Sequence, residues 1–176
     1  MTEFADILAV AQRPATSVPL CLRGDLVAEF RALERDLEQA DRRAPSLAEA
    51  SPAAVIAARM NALREQMLAA TVAFRLEAMP PAAWSDFLAT QPAKSKDIDE
   101  DAFKAAWYAW VCQLVAHTCT DPVMTAEQVD QLVPRLSGEQ WARLSDTAWS
   151  INASEVNVPF SVAASVLLPE ANSAQK

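Results

Sequence analysis

The clearest pattern in the chain is an apolar stripe that begins just after Gly24. Its apolar positions recur at alternating intervals of four and three residues, which is the spacing of one face of an α-helix. Asp25 is the expected N-cap, because its carboxylate can accept hydrogen bonds from the free amides of the first turn. Charged side chains of both signs occupy the opposite face. The stripe consists of Leu26, Phe30, Leu33, Leu37 and Ala40.

A second stripe with the same kind of spacing follows a polar connection. Ser51 and Pro52 are a typical helix start, because serine caps the free amides and proline fits the first helical position. Two such stripes joined by a short polar segment predict an antiparallel helical hairpin that packs on, or projects from, a larger bundle. The second stripe consists of Ile56, Met60, Leu63, Met67, Ala70 and Phe74.

The rest of the chain predicts shorter helices with clear starting points. Pro80 ends the second long helix, and Pro81 begins a short one. Two capping boxes, in which a hydroxyl residue and a glutamine three positions later cap each other's amides, begin at Thr125 and Ser137. Between the prolines and these boxes, another helix runs to about Val115. The apolar stripe of that helix consists of Phe103, Trp107, Trp110 and Leu114.

These elements predict the fold class and divide the chain into five parts. We predict an all-α protein, a helical bundle with an antiparallel helical hairpin near the N-terminus. The segment TSVPLCL at residues 16–22 favours a short piece of extended backbone. The five parts are an irregular N-terminal segment (1–24), the hairpin plus a short helix (25–90), a polar loop (91–101), a C-terminal helical part (102–168) and a frayed tail (169–176).

The chain has 176 residues but only two glycines, and this narrows the range of functions. Phosphate-binding loops, dinucleotide fingerprints and hairpin-rich β folds need glycine where the backbone takes positive φ or closely approaches a ligand. Gly24 and Gly138 are too few to build any of these, and both stand beside predicted helix starts. The composition therefore favours helices and argues against nucleotide chemistry.

The formal net charge is −8, and no local basic run is present. Nucleic-acid binding needs a basic face and anionic membranes attract cationic segments, so neither partner is expected. No uncharged stretch reaches the roughly 18 apolar residues of a membrane span. The acidic first residues are not typical of a signal peptide, and three cysteines are an odd number. We therefore expect free thiols in a reducing cytoplasm.

The most reactive side chains lack the neighbours that catalysis needs. His117, the only histidine, lies between Cys112 and Cys119, but a spacing of five is a poor match to one helix face. Metal sites usually show two close ligand pairs, so we interpret these cysteines as small apolar residues. The carboxylates at residues 97–101 share a polar loop with two lysines, which is typical of a solvated surface. We predict no catalytic, cofactor-binding or metal-binding residue and no enzymatic activity.

Aromatic residues are the strongest remaining signal. The chain has five tryptophans and one tyrosine. Core packing is the main interpretation, because large aromatic side chains dominate protein cores. Residues 107–111 (WYAWV) nevertheless span more than one helix face, so part of this surface is expected to be exposed, as in a groove for a partner.

Four segments occur in a characteristic order: PLCLRGDLVAEFRALERDL, ATVAFRLEAMPPAAWSDFLATQP, DPVMTAEQVDQLVPRLSGEQWARL and INASEVNVPFS. With these segments in this order, the chain resembles the tail assembly chaperones of long-tailed, siphovirus-type phages of actinobacteria. The resemblance covers about residues 19–161. It implies a protein that binds the tape measure protein, a long apolar helical polypeptide, and keeps it soluble while the tail tube polymerises.

The resemblance also implies further partners and a location. A longer, frameshifted form is expected to recruit the tail tube protein, and several copies of the chaperone are expected along one tape measure protein, which is its client. The protein is expected to act in the host cytoplasm and to be absent from the mature virion. Contacts with the client are expected at apolar positions, namely Met67, Phe74, Trp107 and Trp110. The alternative function is a small structural virion protein, either a head–tail connector or a tail completion component.

Overall fold

A long antiparallel pair of strands joins the N-terminal part of the chain to its middle. β1 (Ala15–Cys21) pairs with β2 (Thr71–Glu77) residue by residue along its whole length. The short β3 (Cys119–Asp121) pairs with the other edge of β2, so the order in the sheet is β1-β2-β3. Because β1 is an edge strand, it tolerates Pro19, which lacks the amide that a central strand uses.

The computed structural model describes residues 3–42, 52–94 and 99–153. Within these ranges the chain is mostly helical, and no helix has the length and apolar character that a membrane crossing requires. The helices are α1 (Phe4–Val10), α2 (Gly24–Arg42), α3 (Pro52–Ala69), α4 (Pro81–Ala89), α5 (Glu100–Thr118), α6 (Ala126–Leu132) and α7 (Gly138–Ala153), with a 3-10 turn at Val133–Arg135.

The prediction of an all-α protein is correct only in part, because the described residues are mostly helical but three strands form a small antiparallel sheet. The sequence pattern extended the second long helix through Ala70 to Phe74, whereas α3 ends at Ala69 and β2 follows. A spacing of four residues fits one helical turn and also two strand periods, so Phe74 satisfies both patterns. The β-branched Thr71 and Val72 favour a strand at this point.

The predicted irregular N-terminal segment contains two regular elements instead. β1 confirms the expected extended backbone around residues 16–22. α1 has no buried residue, and the structure leaves its large apolar side chains in solvent. These exposed large apolar residues are Phe4, Ile7, Leu8 and Val10.

The sheet has one buried face and one exposed face. Val18 and Leu20 of β1 alternate with exposed neighbours, as do Phe74 and Leu76 of β2. The buried face of the sheet packs against helices α4 to α7, and their apolar side chains together form, within the described ranges, the larger of two hydrophobic cores, which we call the main core. The buried residues that these helices and β3 contribute are Phe87, Trp110, Cys112, Leu114, Val115, Cys119, Val129, Leu144 and Ala148.

Helices α2 and α3, which we call the α2–α3 pair, form a separate and smaller core. Buried Leu26 and Leu33 of α2 pack with Leu63 of α3. The Leu22 amide donates to the Ala70 carbonyl, so α2 begins beside the end of α3. The residues that would join the two helices as a hairpin, 43–51, lie outside the described ranges, and the hairpin therefore stays a prediction.

Both predicted capping boxes are present in the structure. The Gln128 amide donates to the Thr125 hydroxyl at 3.3 Å, and the Thr125 amide donates to the Gln128 side chain at 2.9 Å. Ser137 and Gln140 make the same reciprocal pair at 3.2 and 2.9 Å. These bonds satisfy amides that have no partner inside the helix, which explains why the start points were visible in the sequence.

Asp25 is not the N-cap of α2, because the helix already includes Gly24. Its carboxylate instead accepts two hydrogen bonds from the Arg23 guanidinium, at 2.8 and 2.5 Å. This bonding lowers the pKa of Asp25 to about 2. The carboxylate therefore bonds chiefly to Arg23 in the turn between β1 and α2, while the backbone amides of Leu26 and Asp25 make smaller contributions to the lowered pKa.

Two other predicted helix boundaries lie close to those of the structure, but α5 begins at Glu100, inside the predicted polar loop (91–101), and β3 lies within the predicted C-terminal helical part (102–168). α4 begins at Pro81, and α5 continues three residues beyond Val115. Several predictions lie outside the described residues: the cap at Ser51, the centre of the polar loop at 95–98, and the chain from 154 through the predicted tail at 169–176.

We expect the substitution Leu76→Ala to lower the free energy of unfolding by about 2–5 kcal/mol, because it opens a cavity between the sheet and the helices. Urea denaturation followed by circular dichroism measures this change. The matched control is Leu68→Ala, since Leu68 is exposed on α3, and it should change the free energy by about 0.5 kcal/mol or less. Equal effects of the two substitutions would contradict the placement of β2 in the core.

Candidate functional site

Helices α5 and α7 leave between them a groove of about 300 Å³, which we call the aromatic groove. Each helix presents one face to it, because the lining residues recur at intervals of three and four along both helices. The lining residues are Trp107, Tyr108, Trp110, Val111 and Leu114 of α5, and Trp141, Ser145, Asp146 and Trp149 of α7.

The floor of the aromatic groove is firmly packed. Trp110 is only 3% exposed and stacks on Phe87, with the ring centroids 4.7 Å apart. Its indole Nε1–H donates to the Thr90 hydroxyl at 3.1 Å, so the polar atom of this buried ring has a partner. The floor is therefore held by both apolar packing and a directional hydrogen bond.

Two further tryptophans stand above this floor and remain open to solvent. Trp107 is 38% exposed and Trp149 is 40% exposed. Their ring centroids lie 5.4 and 6.1 Å from that of Trp110, and Trp149 also meets Trp84 edge to face at 5.4 Å. Exposed tryptophans held in fixed positions are a common feature of protein-binding surfaces.

The charge at the aromatic groove is negative. Asp146 is the one charged residue among the nine lining residues that the structure describes, and it is exposed. Asp130 of α6 adds a second carboxylate, because its Oδ1 accepts a hydrogen bond of 2.8 Å from the Tyr108 hydroxyl. Burial, together with this bond, raises the pKa of Tyr108, so the phenol stays protonated at neutral pH.

The four predicted contact residues do not form one surface. Trp107 and Trp110 meet in the aromatic groove, whereas Phe74 lies in β2 and Met67 packs within the α2–α3 pair. Phe74 and Trp110 are 2% and 3% exposed, so in this fold neither presents area to a partner. The physical reason is that each faces the main core, Phe74 from the sheet and Trp110 from α5. Contacts through Met67 and Trp107 stay a prediction.

The sequence reasoning missed the α7 side of the groove. Trp141, Ser145 and Trp149 are spaced four residues apart, and this spacing alone places them on one helix face. The carboxylate of Asp146 was missed as well, because an isolated acidic residue in a helix carries no sequence signal.

Asn152 is a second position that sequence reasoning did not single out. Its side-chain oxygen accepts a hydrogen bond of 2.7 Å from the Met79 amide, just after β2. Its side-chain nitrogen donates to the Ala148 carbonyl at 2.7 Å and to the Thr118 hydroxyl at 3.4 Å. One amide therefore fixes the end of α7 against both α5 and the sheet.

The cysteine and histidine residues do not converge. Cys112 and Cys119 are buried, and burial raises the pKa of both thiols, which keeps them protonated. His117 is exposed and meets Phe87 edge to face at 5.6 Å. Among residues 3–42, 52–94 and 99–153, no three histidine, cysteine or carboxylate side chains are grouped as metal ligands.

Comparison with known proteins found no matching family model, no matching curated protein and no matching solved structure.

We expect the thiol of Cys21 to react with a disulfide reagent such as Ellman's reagent at least about tenfold faster than those of Cys112 and Cys119, because only Cys21 is partly open to solvent. Time-resolved absorbance of the native protein measures the rate of each reaction phase, and Cys21 should account for the fast phase. Cys21→Ser should remove the fast phase, and urea should make the other two thiols react quickly. A fast phase that survives Cys21→Ser would contradict the burial of the other cysteines.

Proposed function

We propose that the protein is a tail assembly chaperone that binds the tape measure protein of a long-tailed phage and keeps it soluble while the tail tube polymerises. The observation that carries this proposal is the aromatic groove, with the exposed rings of Trp107 and Trp149 above a packed floor. The order of sequence segments supports it independently of the groove.

The shape of the aromatic groove favours a helical client. α5 and α7 use their backbone groups internally, so they offer no hydrogen bonds to an incoming strand. A helix satisfies its own backbone and needs only a complementary row of side chains. From Trp141 to Trp149 the groove follows α7 for about 12 Å, which is about two turns of a client helix.

A contact of only two turns gives a modest affinity at each site. Small interfaces are typical of transient binding, whereas several sites on one long client raise the overall affinity through multivalency. This arrangement fits a holding protein that covers a long polypeptide in several copies and is later displaced. In this proposal it acts in the host cytoplasm, leaves before the virion matures, and reaches the tail tube protein through a longer form.

We expect co-expression with the tape measure protein of the same phage to keep that protein soluble and to allow their co-purification. Trp107→Ala should reduce the co-purified amount about tenfold or more, because an exposed tryptophan in an interface often contributes 2 kcal/mol or more. Leu68→Ala truncates an apolar side chain on α3 that is more exposed than Trp107, and this control should leave the amount unchanged. Quantitative mass spectrometry of the purified complex measures the ratio.

Three results would change this proposal. Absence of both rescued solubility and co-purification with the unsubstituted chain contradicts the function. Loss of co-purification with Met67→Ala but not with Trp107→Ala moves the binding site to the α2–α3 pair. Stoichiometric presence of the protein in purified phage particles supports the alternative, a head–tail connector or tail completion component.

A further inference from the structure

The cationic side chains of the helices that form the aromatic groove are engaged away from it. Lys104 of α5 pairs with Glu100 at 3.0 Å and Asp101 at 3.6 Å, and both carboxylates precede the first lining residue, Trp107, by more than one turn. Arg143 of α7 reaches the Pro19 carbonyl in β1, on the side of α7 that faces the sheet. Neither cation therefore balances the carboxylates beside the groove.

The rim of the groove combines negative charge with open aromatic faces. Asp146 lies among the lining residues, and Asp130 is bonded to the lining Tyr108. Trp107 and Trp149 expose more than a third of their surface. An indole face attracts a cation through its quadrupole, and a nearby carboxylate adds to that attraction. Both features favour the same class of partner, one with cationic side chains beside an apolar surface.

We propose that the aromatic groove binds a cationic amphipathic helix, which places an apolar stripe on Val111 and Trp141, above the buried Trp110, and sets lysine or arginine side chains against Trp107, Trp149 and Asp146. The proposal rests on the proposed function in taking the tape measure protein as the natural source of that helix. It adds a charge requirement: the segments of the client that bind are those whose apolar stripe is flanked by cations. The overall charge of −8 attracts the same segments from a distance.

Two synthetic helical peptides test the charge requirement on the full-length protein. They share one apolar stripe, and the flanking positions are lysine in one and glutamate in the other. Fluorescence anisotropy of labelled peptide should show binding of the lysine peptide about tenfold or more tighter at low salt, with the difference shrinking as salt screens the charges.

Substitutions locate the effect in the groove. Asp146→Asn should reduce the preference for the lysine peptide several-fold. Asp36→Asn, on the exposed face of α2, removes the same charge elsewhere and should leave the preference unchanged. Trp107→Ala should weaken both peptides, because both use the shared apolar stripe. Each variant is first checked for an unchanged urea unfolding transition.

Three outcomes would overturn the inference. They are equal binding of the two peptides, equal effects of Asp146→Asn and Asp36→Asn, and peptide binding that appears only when dilution separates self-associated copies, which would make a second copy the occupant. Co-purification of the tape measure protein without peptide discrimination removes the charge requirement but leaves the proposed function standing. Discrimination between the two peptides without co-purification of the tape measure protein supports the charge requirement of the groove but contradicts the proposed function.

Discussion

The structure depends first on the pairing of β1 with β2. This ladder places Val18 and Leu20 beside Phe74 and Leu76, and their common buried face is the surface on which α5 and α7 pack. A single strand cannot offer such a surface, because its side chains would have no neighbours on an adjacent strand. The main core, and with it the distance between α5 and α7, follows from this pairing.

Side-chain bonds to the edge strand then fix α7. The Gln140 side chain donates to the Cys21 carbonyl at 2.8 Å, and Arg143 reaches the Pro19 carbonyl. At the other end Asn152 binds the chain just beyond β2. α7 is therefore held to the sheet at both ends, and the outward row of Trp141, Ser145 and Trp149 is left facing α5.

Local signals made much of the helical structure predictable from the sequence. The boxes at Thr125 and Ser137 are complete within four residues, so no distant contact is needed to recognise them. β2 was not predictable in the same way, because its partner strand lies on the far side of the α2–α3 pair in sequence. When that partner strand is not known, the apolar spacing at Phe74 fits a helix as well as it fits a strand.

The sequence allowed the aromatic character of the candidate site to be predicted, but not which aromatic residues are exposed in it. Tryptophan enrichment indicated an aromatic surface, and residues 107–111 did contribute to it. Sequence spacing cannot tell Trp107 from Trp110, since both lie on α5 within one turn, yet one is open to solvent and the other is covered by Phe87 and Thr90. Burial of this kind is decided by neighbours that are distant in sequence.

The position of the α2–α3 pair has a consequence for engineering. The pair follows the end of β1 and precedes the start of β2. Its two roots, the points at Cys21 and Thr71 where it joins the sheet, therefore lie on adjacent strands about 5 Å apart. Its own small core is separate from the main one. Whole turns added to both helices beyond these roots therefore leave the register of β1 with β2 unchanged.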